Sequence, residues 1–311
     1  MPELPEVEVV RAGLEPAVSG ATVDAVTVFE DRSLRRHDGP SEDFIERLAG
    51  RIILAAVRRG KFLWLPLSAS PASSEPGEAL VVHLGMSGQV LLRDVTQADD
   101  SLLRIRLDIA SPVHGPLRVD FVDQRIFGSM AIDRFVPTPD GHAAGFGSDA
   151  ALIPSQVSHI ARDPLDPAFS DRRFFDALAR RRTGIKRALL DQGLISGIGN
   201  IYADEALWAA RIHYDQPTAT LTRARARRLL AEVRLVLGRA LAEGGTSFDA
   251  QYVNVNGASG YFSRSLNAYG QHGNSCPRCG RPIIRESFMN RGSHFCPFCQ
   301  RIRAARPVAQ A

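Results

Sequence analysis

The first six residues of the chain, M-P-E-L-P-E, place a proline directly before a pair of carboxylates. Removal of Met1 would leave Pro2 as a secondary amine, and an α-amine titrates near ~8, so part of it is nucleophilic at neutral pH. Its attack on an aldehyde-like carbon gives an iminium, an electron sink for later eliminations. The neighbouring carboxyls of Glu3 and Glu6 are candidate proton donors for the oxygen that must leave or open. A simple helix start is the alternative, because proline and glutamate favour a first helical turn.

All four cysteines lie near the other end of the chain, in the pattern C-P-R-C, sixteen residues, C-P-F-C. Two C-x2-C knuckles at this separation predict a closed structural site for one Zn²⁺ ion. Two disulfides in a secreted protein are the alternative. The acidic N-terminus and the lack of an apolar run near ~18 residues predict neither a signal peptide nor a membrane span. The predicted ligands are Cys276, Cys279, Cys296 and Cys299.

Positive charge is concentrated in the C-terminal half of the chain. The formal net charge is +4 and the pI about 9.1. Arginines and one lysine cluster at residues 180–187 and again at 223–234, a distribution that favours contact with a phosphate backbone. A solvated helix face is the alternative. Of the 38 basic residues only Lys61 and Lys186 are lysines, which favours a need for a compact ammonium at these positions, as at a single phosphate oxygen. Chance retention of lysine is the alternative.

The N-terminal half begins with helical spacing over residues 2–19 and then changes to a period of two as far as residue 135. Strands are predicted over 22–29, 51–57, 61–67, 80–92 and two later segments, centred on the alternating residues 103–109 and 117–121. These strands predict a two-layer β-sandwich that carries the N-terminal helix. The Pro- and Ser-rich segment 66–79 is predicted to be a loop.

The C-terminal half is predicted to be helical, with helices over 171–181, 184–191, 200–210 and 222–243. Asp171 and Thr222 are the predicted caps. Gly197 and Gly199 predict a turn whose N–H groups can approach a phosphate before the next helix. The domains are predicted as a catalytic β-sandwich over 1–135, a linker over 136–170, a helical DNA-binding domain over 171–268, and a zinc ribbon over 269–303.

These segments together resemble the bacterial formamidopyrimidine-DNA glycosylases, the helix-two-turn-helix family that excises oxidised purines. The resemblance covers essentially the full length, and the motifs occur in the family's order. They are M-P-E-L-P-E-V-E, Lys61, H-L-G-M-S-G at 83–88, D-Q-R-I-F-G at 123–128, S-G-I-G-N-I-Y-A-D-E-A-L at 196–207, G-G-T-S-F at 244–248, N-G-x-x-G-Y-F ending at Phe262, and the zinc knuckles. The implied fold is α+β: an N-terminal β-sandwich with a helix, a helix-two-turn-helix domain and a zinc ribbon.

The resemblance also implies the catalytic roles. Pro2 would attack C1′ of the damaged nucleotide and displace the base, Glu3 would protonate the ring oxygen, and Glu6 would support the site. Elimination of the flanking phosphates would follow. The family's phosphate-gripping positions correspond to Lys61, His83, Asn200, Tyr261 and Arg291, of which Lys61 and Arg291 are also assigned to the catalytic group.

Three residues match the positions that fill the space left by an extruded base: Met86, Arg125 and Phe127. Their chemistry suits insertion into a duplex. Ordinary core packing is the alternative for Met86 and Phe127. The segment 246–260 resembles the loop that closes over the extruded base. Ile126 departs from the family, which often has a second basic residue there, and the 66–79 segment has no clear counterpart.

The expected activity is therefore excision of 8-oxoguanine and formamidopyrimidines from duplex DNA, followed by strand incision through β,δ-elimination. The protein is expected to be a cytoplasmic monomer that associates with the nucleoid when bound, with damaged double-stranded DNA as its partner and no membrane. Two alternatives remain: an endonuclease VIII-type enzyme for oxidised pyrimidines, and a non-catalytic DNA-binding protein that retains the ribbon.

Overall fold

The computed structural model of the chain describes residues 2–71, 73–246 and 262–303. These residues form two compact units. Within the described ranges, the first unit contains residues 2–160 and 243–246, and the second contains residues 161–242 and 262–303. The domain boundaries expected at residues 135, 170 and 268 stay predictions.

The first unit contains two helices and nine strands among its described residues. The helices are α1 (Leu4–Val18) and α2 (Ser41–Leu48). The strands are β1 (Thr22–Val28), β2 (Val57–Arg59), β3 (Phe62–Ser68), β4 (Pro76–His83), β5 (Gly88–Asp94), β6 (Leu103–Ser111), β7 (Gly115–Asp123), β8 (Ser129–Pro137) and β9 (Leu152–Pro154).

Two antiparallel sheets build this unit, in the strand orders β1-β6-β7-β5 and β2-β3-β4-β8-β9. Their inner faces share one apolar core, to which α1 contributes Val7, Val10 and Leu14 at helical spacing. From the sheets, residues such as Ile105 and Leu80 enter the same core because side chains alternate between the two faces of a strand. The predicted α+β sandwich with an N-terminal helix is confirmed.

Several local predictions in this unit differ from the structure. The strand predicted over 51–57 does not form, since β2 covers only Val57–Arg59. Residues 80–92 do not form one strand, because the chain turns between β4 and β5, with Gly85 at φ +63°. Helix α2 was not predicted, although its Phe44 and Leu48 are buried four residues apart, as one helix face requires. The loop within 66–79 is shorter than expected, since β3 extends to Ser68 and β4 begins at Pro76.

The second unit is helical and ends in a small hairpin. Its helices are α3 (Asp171–Arg180), α4 (Ile185–Leu190), α5 (Asn200–Ala210) and α6 (Arg223–Ala242), and its strands are β10 (Ile284–Phe288) and β11 (Arg291–Phe295). The four predicted helices are confirmed within two residues at each end. One cap differs: the side chain of Ser170, not Asp171, accepts the N–H of Arg173. The predicted Thr222 cap accepts the N–H of Arg225.

Among the residues that the structure describes, no helix has the length and apolar character needed to cross a membrane.

Candidate active site and nucleic-acid interface

The start of α1 gathers the predicted nucleophile and both predicted carboxylates. Pro2 is buried, and Glu3 and Glu6 are buried as well. Glu3 precedes the helix as its N-cap residue, in an extended conformation. The backbone N–H of Glu3 donates to Oε2 of Glu6 at 2.8 Å, so the third residue of the helix fixes the backbone just after Pro2. The side chains of this cluster are therefore preorganised by local helix-capping geometry.

The other carboxylate oxygen of Glu6 binds a distant part of the first unit. Oε1 accepts the backbone N–H of Thr246 at 2.8 Å and its hydroxyl at 2.9 Å. Gly245 precedes Thr246 at φ +81°, and a Cβ there would lie 3.1 Å from the same oxygen. Glycine therefore permits both the turn and the close approach. Glu6 thus joins the start of α1 to Thr246, the first residue of the predicted base-covering loop.

Lys61 and His83 lie at neighbouring strand ends in the first unit. Lys61 precedes β3, in the turn after Gly60, and His83 is the last residue of β4. The rings of Phe62 and His83 pack with centroids 5.0 Å apart. Burial, and then the charges of Arg36 and nearby cations, lowers the pKa of His83 to about 4. Its Nδ1 accepts the N–H of Gly85 at 3.1 Å, which leaves the proton of the neutral ring on Nε2.

The predicted void-filling residues occupy two adjacent turns. Met86 lies between β4 and β5, and Arg125 and Phe127 lie between β7 and β8. A Cβ on Gly85 would overlap the carbonyl group of Phe127, so the two turns pack backbone against backbone. Phe127 is 48% exposed, unlike a core phenylalanine. The core-packing alternative therefore does not describe Phe127.

Asp123 holds these two turns together from inside. One of its carboxylate oxygens accepts the Ser87 hydroxyl at 2.5 Å and the Arg125 N–H at 3.1 Å, and the other accepts the Gly128 N–H at 2.6 Å. Asp123 is 1% exposed. Buried charge-assisted bonds of this kind fix backbone position strongly. The motif D-Q-R-I-F-G begins with Asp123 but by itself indicates no role for this residue.

In the second unit, Asn200 is the first residue of α5 and follows the predicted glycine turn. Gly197 has φ +89°, which confirms the turn, but its N–H donates to the Gln192 side chain at 3.0 Å. That N–H is therefore engaged within the protein and does not match the expected phosphate donor. The Asn200 side-chain amide donates to the carbonyl of Gly292 at 3.0 Å. Asn200 is thus tied to the hairpin that carries Arg291.

The expectation that Lys186 belongs to a phosphate-binding surface is wrong, because its side chain is fully buried. Its ammonium lies 2.6 Å from Oδ1 of Asp204 and donates to the Ser293 hydroxyl at 2.8 Å. The other Asp204 oxygen accepts the N–H of His294 at 2.8 Å. The ammonium is needed here to neutralise a buried carboxylate. The pair anchors β11 to α5.

Arg291 is the exposed first residue of β11. The two residues of the hairpin turn before it, Met289 and Asn290, both have positive φ, at 46° and 60°. This is the conformation of a type I′ turn, whose twist matches a tight hairpin. Tyr261 lies outside the described residues, as does most of the predicted base-covering loop.

The four cysteines form one cluster in the second unit. Their Sγ atoms all lie within 4.8 Å of one another, and none of the four is in a disulfide. Thiolates around a tetrahedral zinc with Zn–S bonds of ~2.3 Å are about 3.8 Å apart, so the donor set and spacing fit one zinc ion. The indole N–H of Trp208 donates to Sγ of Cys276 at 3.4 Å. Gln300 accepts the Cys296 N–H and donates to the Ile212 carbonyl, which attaches the ribbon to the helical part of this unit.

A buried Pro-Glu start on a β-sandwich, accompanied by a helical unit with a four-cysteine ribbon, defines a zinc-ribbon protein of the helix-two-turn-helix class. Family models match three successive parts of the chain: the formamidopyrimidine-DNA glycosylase N-terminal domain over residues 1–130, the H2TH domain of the same family over 160–251, and the zinc finger found in FPG and IleRS over 273–302. The chain belongs to the formamidopyrimidine-DNA glycosylase family.

Individual relatives agree with this assignment. A formamidopyrimidine-DNA glycosylase of Leifsonia xyli subsp. xyli is 69% identical over 97% of this chain and 100% of its own length. The crystal structure of wild-type Lactococcus lactis Fpg with DNA containing N7-benzyl-Fapy-dG has a TM-score of 0.78 at 28% identity and covers 96% of this chain and 99% of that chain. The same enzyme with DNA containing an oxidised pyrimidine has a TM-score of 0.77 at 28% identity, with the same coverage.

Proposed function

We propose that this chain is a bifunctional DNA glycosylase and abasic-site lyase of base excision repair, acting on 8-oxoguanine and formamidopyrimidines in duplex DNA. The observation that carries the proposal is the buried Pro2–Glu3–Glu6 cluster at the start of α1, in a chain of this family. A structural helix start does not require Glu6 to bind Thr246 with its second oxygen as well. An amine and two carboxyl groups at one helix start support a reaction on a single sugar.

In the proposed reaction the nitrogen of Pro2, freed by removal of Met1, forms a bond to C1′ of the damaged nucleotide. The glycosidic bond breaks and the base leaves with the bonding electrons, and the proton that it takes up balances the N–H proton lost by Pro2. Glu3 protonates the ring oxygen as the sugar opens, which completes the iminium. The iminium makes the C2′ protons acidic, so the 3′ phosphate and then the 5′ phosphate are eliminated. Glu6 acts by holding the backbone of Glu3 in place.

The duplex is proposed to be held by five residues that approach phosphates: Lys61, His83, Asn200, Tyr261 and Arg291. His83 would donate from Nε2 as a neutral ring, because its pKa is lowered to about 4 and its Nδ1 is already an acceptor. Lys61 and Arg291 would supply charge. Because the phosphates are also the leaving groups, these contacts would stabilise the charge that develops during elimination.

Extrusion of the damaged base leaves space in the duplex, which Met86, Arg125 and Phe127 are proposed to fill. The exposed ring of Phe127 would separate neighbouring base pairs, and the guanidinium of Arg125 would bind the unpaired base. Zinc, held by the four cysteines, would stabilise the ribbon and takes no part in the reaction.

The substrate class has one competitor. The L. lactis structure with an oxidised pyrimidine shows that a related Fpg can hold such DNA. We therefore keep oxidised pyrimidines as the second candidate substrate, together with the non-catalytic DNA-binding alternative as a further outcome of the test.

Covalent trapping with borohydride tests the proposal directly. Unblocked protein should be trapped on a duplex with 8-oxoguanine opposite cytosine, and N-terminally acetylated protein should not be, because the acetylated nitrogen cannot form an iminium. The Pro5→Ala variant is a matched control and should still be trapped, since Pro5 lies in the same helix start but carries no free amine. Absence of trapping by the unblocked protein would favour the binding-protein alternative. Faster release of thymine glycol than of 8-oxoguanine would favour the pyrimidine substrate.

We propose further that the protein acts as a monomer on chromosomal DNA in the cytoplasm. One zinc ribbon and one nucleophile per chain support a monomer, since both proposed chemical functions are provided by a single copy. Sedimentation velocity, alone and with one equivalent of duplex, should give the mass of one chain and of a one-to-one complex.

A further inference from the structure

Arg35 makes an unusual set of contacts with the turn that carries two void-filling residues. It directly follows the 3-10 turn Asp31–Leu34. Its Nη1 donates to the carbonyls of Ile126 and Gly128, both at 2.9 Å, and its Nη2 donates to the carbonyl of Phe127. One guanidinium thus binds three successive carbonyls more than ninety residues away in sequence. The rigid fork of arginine can do this, whereas a single ammonium cannot present the same planar array.

The turn does not adopt its shape through its own backbone preferences. Ile126 has φ +56°, a left-handed conformation that is unfavourable for a β-branched residue. The N–H groups of Arg125 and Gly128 point to Asp123, whereas the carbonyls of residues 126–128 point to Arg35. The backbone is therefore held on both sides by charged groups, which compensate for the strained residue between them.

We propose that Arg35 is a positioning residue that fixes the turn of residues 124–128, and thereby sets discrimination of the base opposite the lesion. The inference rests on the proposed function, because it assigns Arg125 and Phe127 to the space left by an extruded base. Arg35 acts through these two residues. Its donors are directed at carbonyls, so it is distinct from the phosphate-gripping Lys61 and His83, even though it is also a cation at the surface.

The principal test compares Arg35→Gln with the wild type in single-turnover release of 8-oxoguanine opposite cytosine and opposite adenine. A glutamine side chain cannot bind all three carbonyls, so Arg125 should lose its fixed position and the cytosine-to-adenine rate ratio should fall by about tenfold, the scale of one well-placed base contact. Cleavage of a preformed abasic site should change by less than about twofold, because no base has to be extruded. Arg32→Gln is the matched control, since Arg32 is exposed and pairs with Glu30 instead.

A rescue variant separates positioning from general damage. Asparagine adopts the left-handed conformation far more readily than isoleucine. The double variant Arg35→Gln with Ile126→Asn should therefore regain most of the cytosine-to-adenine ratio. An unchanged ratio in Arg35→Gln would overturn the inference, and so would an equal loss on all three substrates without rescue.

The salt dependence of binding distinguishes a phosphate contact. If Arg35 bound a phosphate, Arg35→Gln would reduce the slope of log K against log salt by about one. We expect the slope to remain that of the wild type, and a reduction by one would overturn the inference. All comparisons use a wild type that is first shown to be trapped by borohydride on the 8-oxoguanine duplex. Failure of that trapping would reject the proposed function, whereas successful trapping with an unchanged ratio would reject the Arg35 inference alone.

Discussion

Replacing Lys186 by methionine should destabilise the second unit severely, although Lys186 touches no substrate in the proposed reaction. The ammonium lies 2.6 Å from Asp204, and both side chains are at most 1% exposed. Loss of one partner of a buried pair costs ~3–5 kcal/mol, because the remaining charge is left uncompensated. Two donors, the Ser293 hydroxyl and the His294 N–H, would remain on Asp204. We therefore expect a loss near the lower limit, about 3 kcal/mol.

Tryptophan fluorescence during denaturation with urea can measure this loss. The chain has two tryptophans, Trp64 in the first unit and Trp208 in the second. A Trp64→Phe background therefore restricts the signal to the second unit, with zinc present throughout. Arg187→Met is the matched control, because this neighbouring cation is exposed.

A double variant tests the physical reason for the effect. Lys186→Met combined with Asp204→Leu removes both charges, so no buried charge is left uncompensated, and it should recover much of the stability lost in the single variant. A loss below about 1 kcal/mol in Lys186→Met would refute the reasoning. So would a double variant less stable than the single one, since it would show that Asp204 is adequately solvated without its partner.

Other outcomes follow from the site geometry. The Cε1 proton of His83 should titrate by NMR with a midpoint of about 4, and a midpoint above the ordinary 6.5 would contradict this. Between pH 4 and 6.5 the unfolded state binds more protons at His83 than the folded state does, so the free energy of unfolding rises with pH in this range. His83→Gln should show a smaller rise than the wild type. Zinc chelation should change the emission of Trp208, whose indole N–H contacts a ligand cysteine; unchanged emission with zinc removed would contradict it. Glu6→Gln should lower the single-turnover rate about tenfold, because the amide cannot accept from both Glu3 and Thr246 on two oxygens. A rate within twofold of the wild type would contradict it.

Local sequence patterns predicted the elements whose stability depends on residues close in sequence. The long helix α6 was predicted within one residue at each end because its apolar face repeats over five turns and Thr222 caps it. The cysteine spacing predicted a cluster that the structure shows within 4.8 Å. Helix α2 was missed because its eight residues offer only two buried positions, which a strand-based interpretation absorbs easily.

The features that sequence patterns could not predict depend on contacts between residues that are distant in sequence. Lys186 occurs among arginines in a stretch that looks like a solvated basic face, and only its partner Asp204, eighteen residues later on α5, makes burial possible. Arg35 lies in an unremarkable polar segment, and its role depends on three carbonyls that no side-chain pattern reveals. Because the contacts of Arg35 are to backbone carbonyls, which every residue has, the types of residue at the acceptor positions do not indicate them.

Buried carboxylates hold backbone segments of both units by this kind of contact. Glu6 and Asp123 do so in the first unit, and Asp204 and Glu205 in the second; each accepts backbone N–H groups from outside its own element. A carboxylate that binds main-chain donors fixes the path of a segment without specifying its side chains. The side chains of such a segment can therefore change while its backbone stays in place. This explains how the turn after Asp123 accommodates Ile126 at a position where a basic residue is expected: the neighbouring Arg125 and Gly128 remain bound through their backbones.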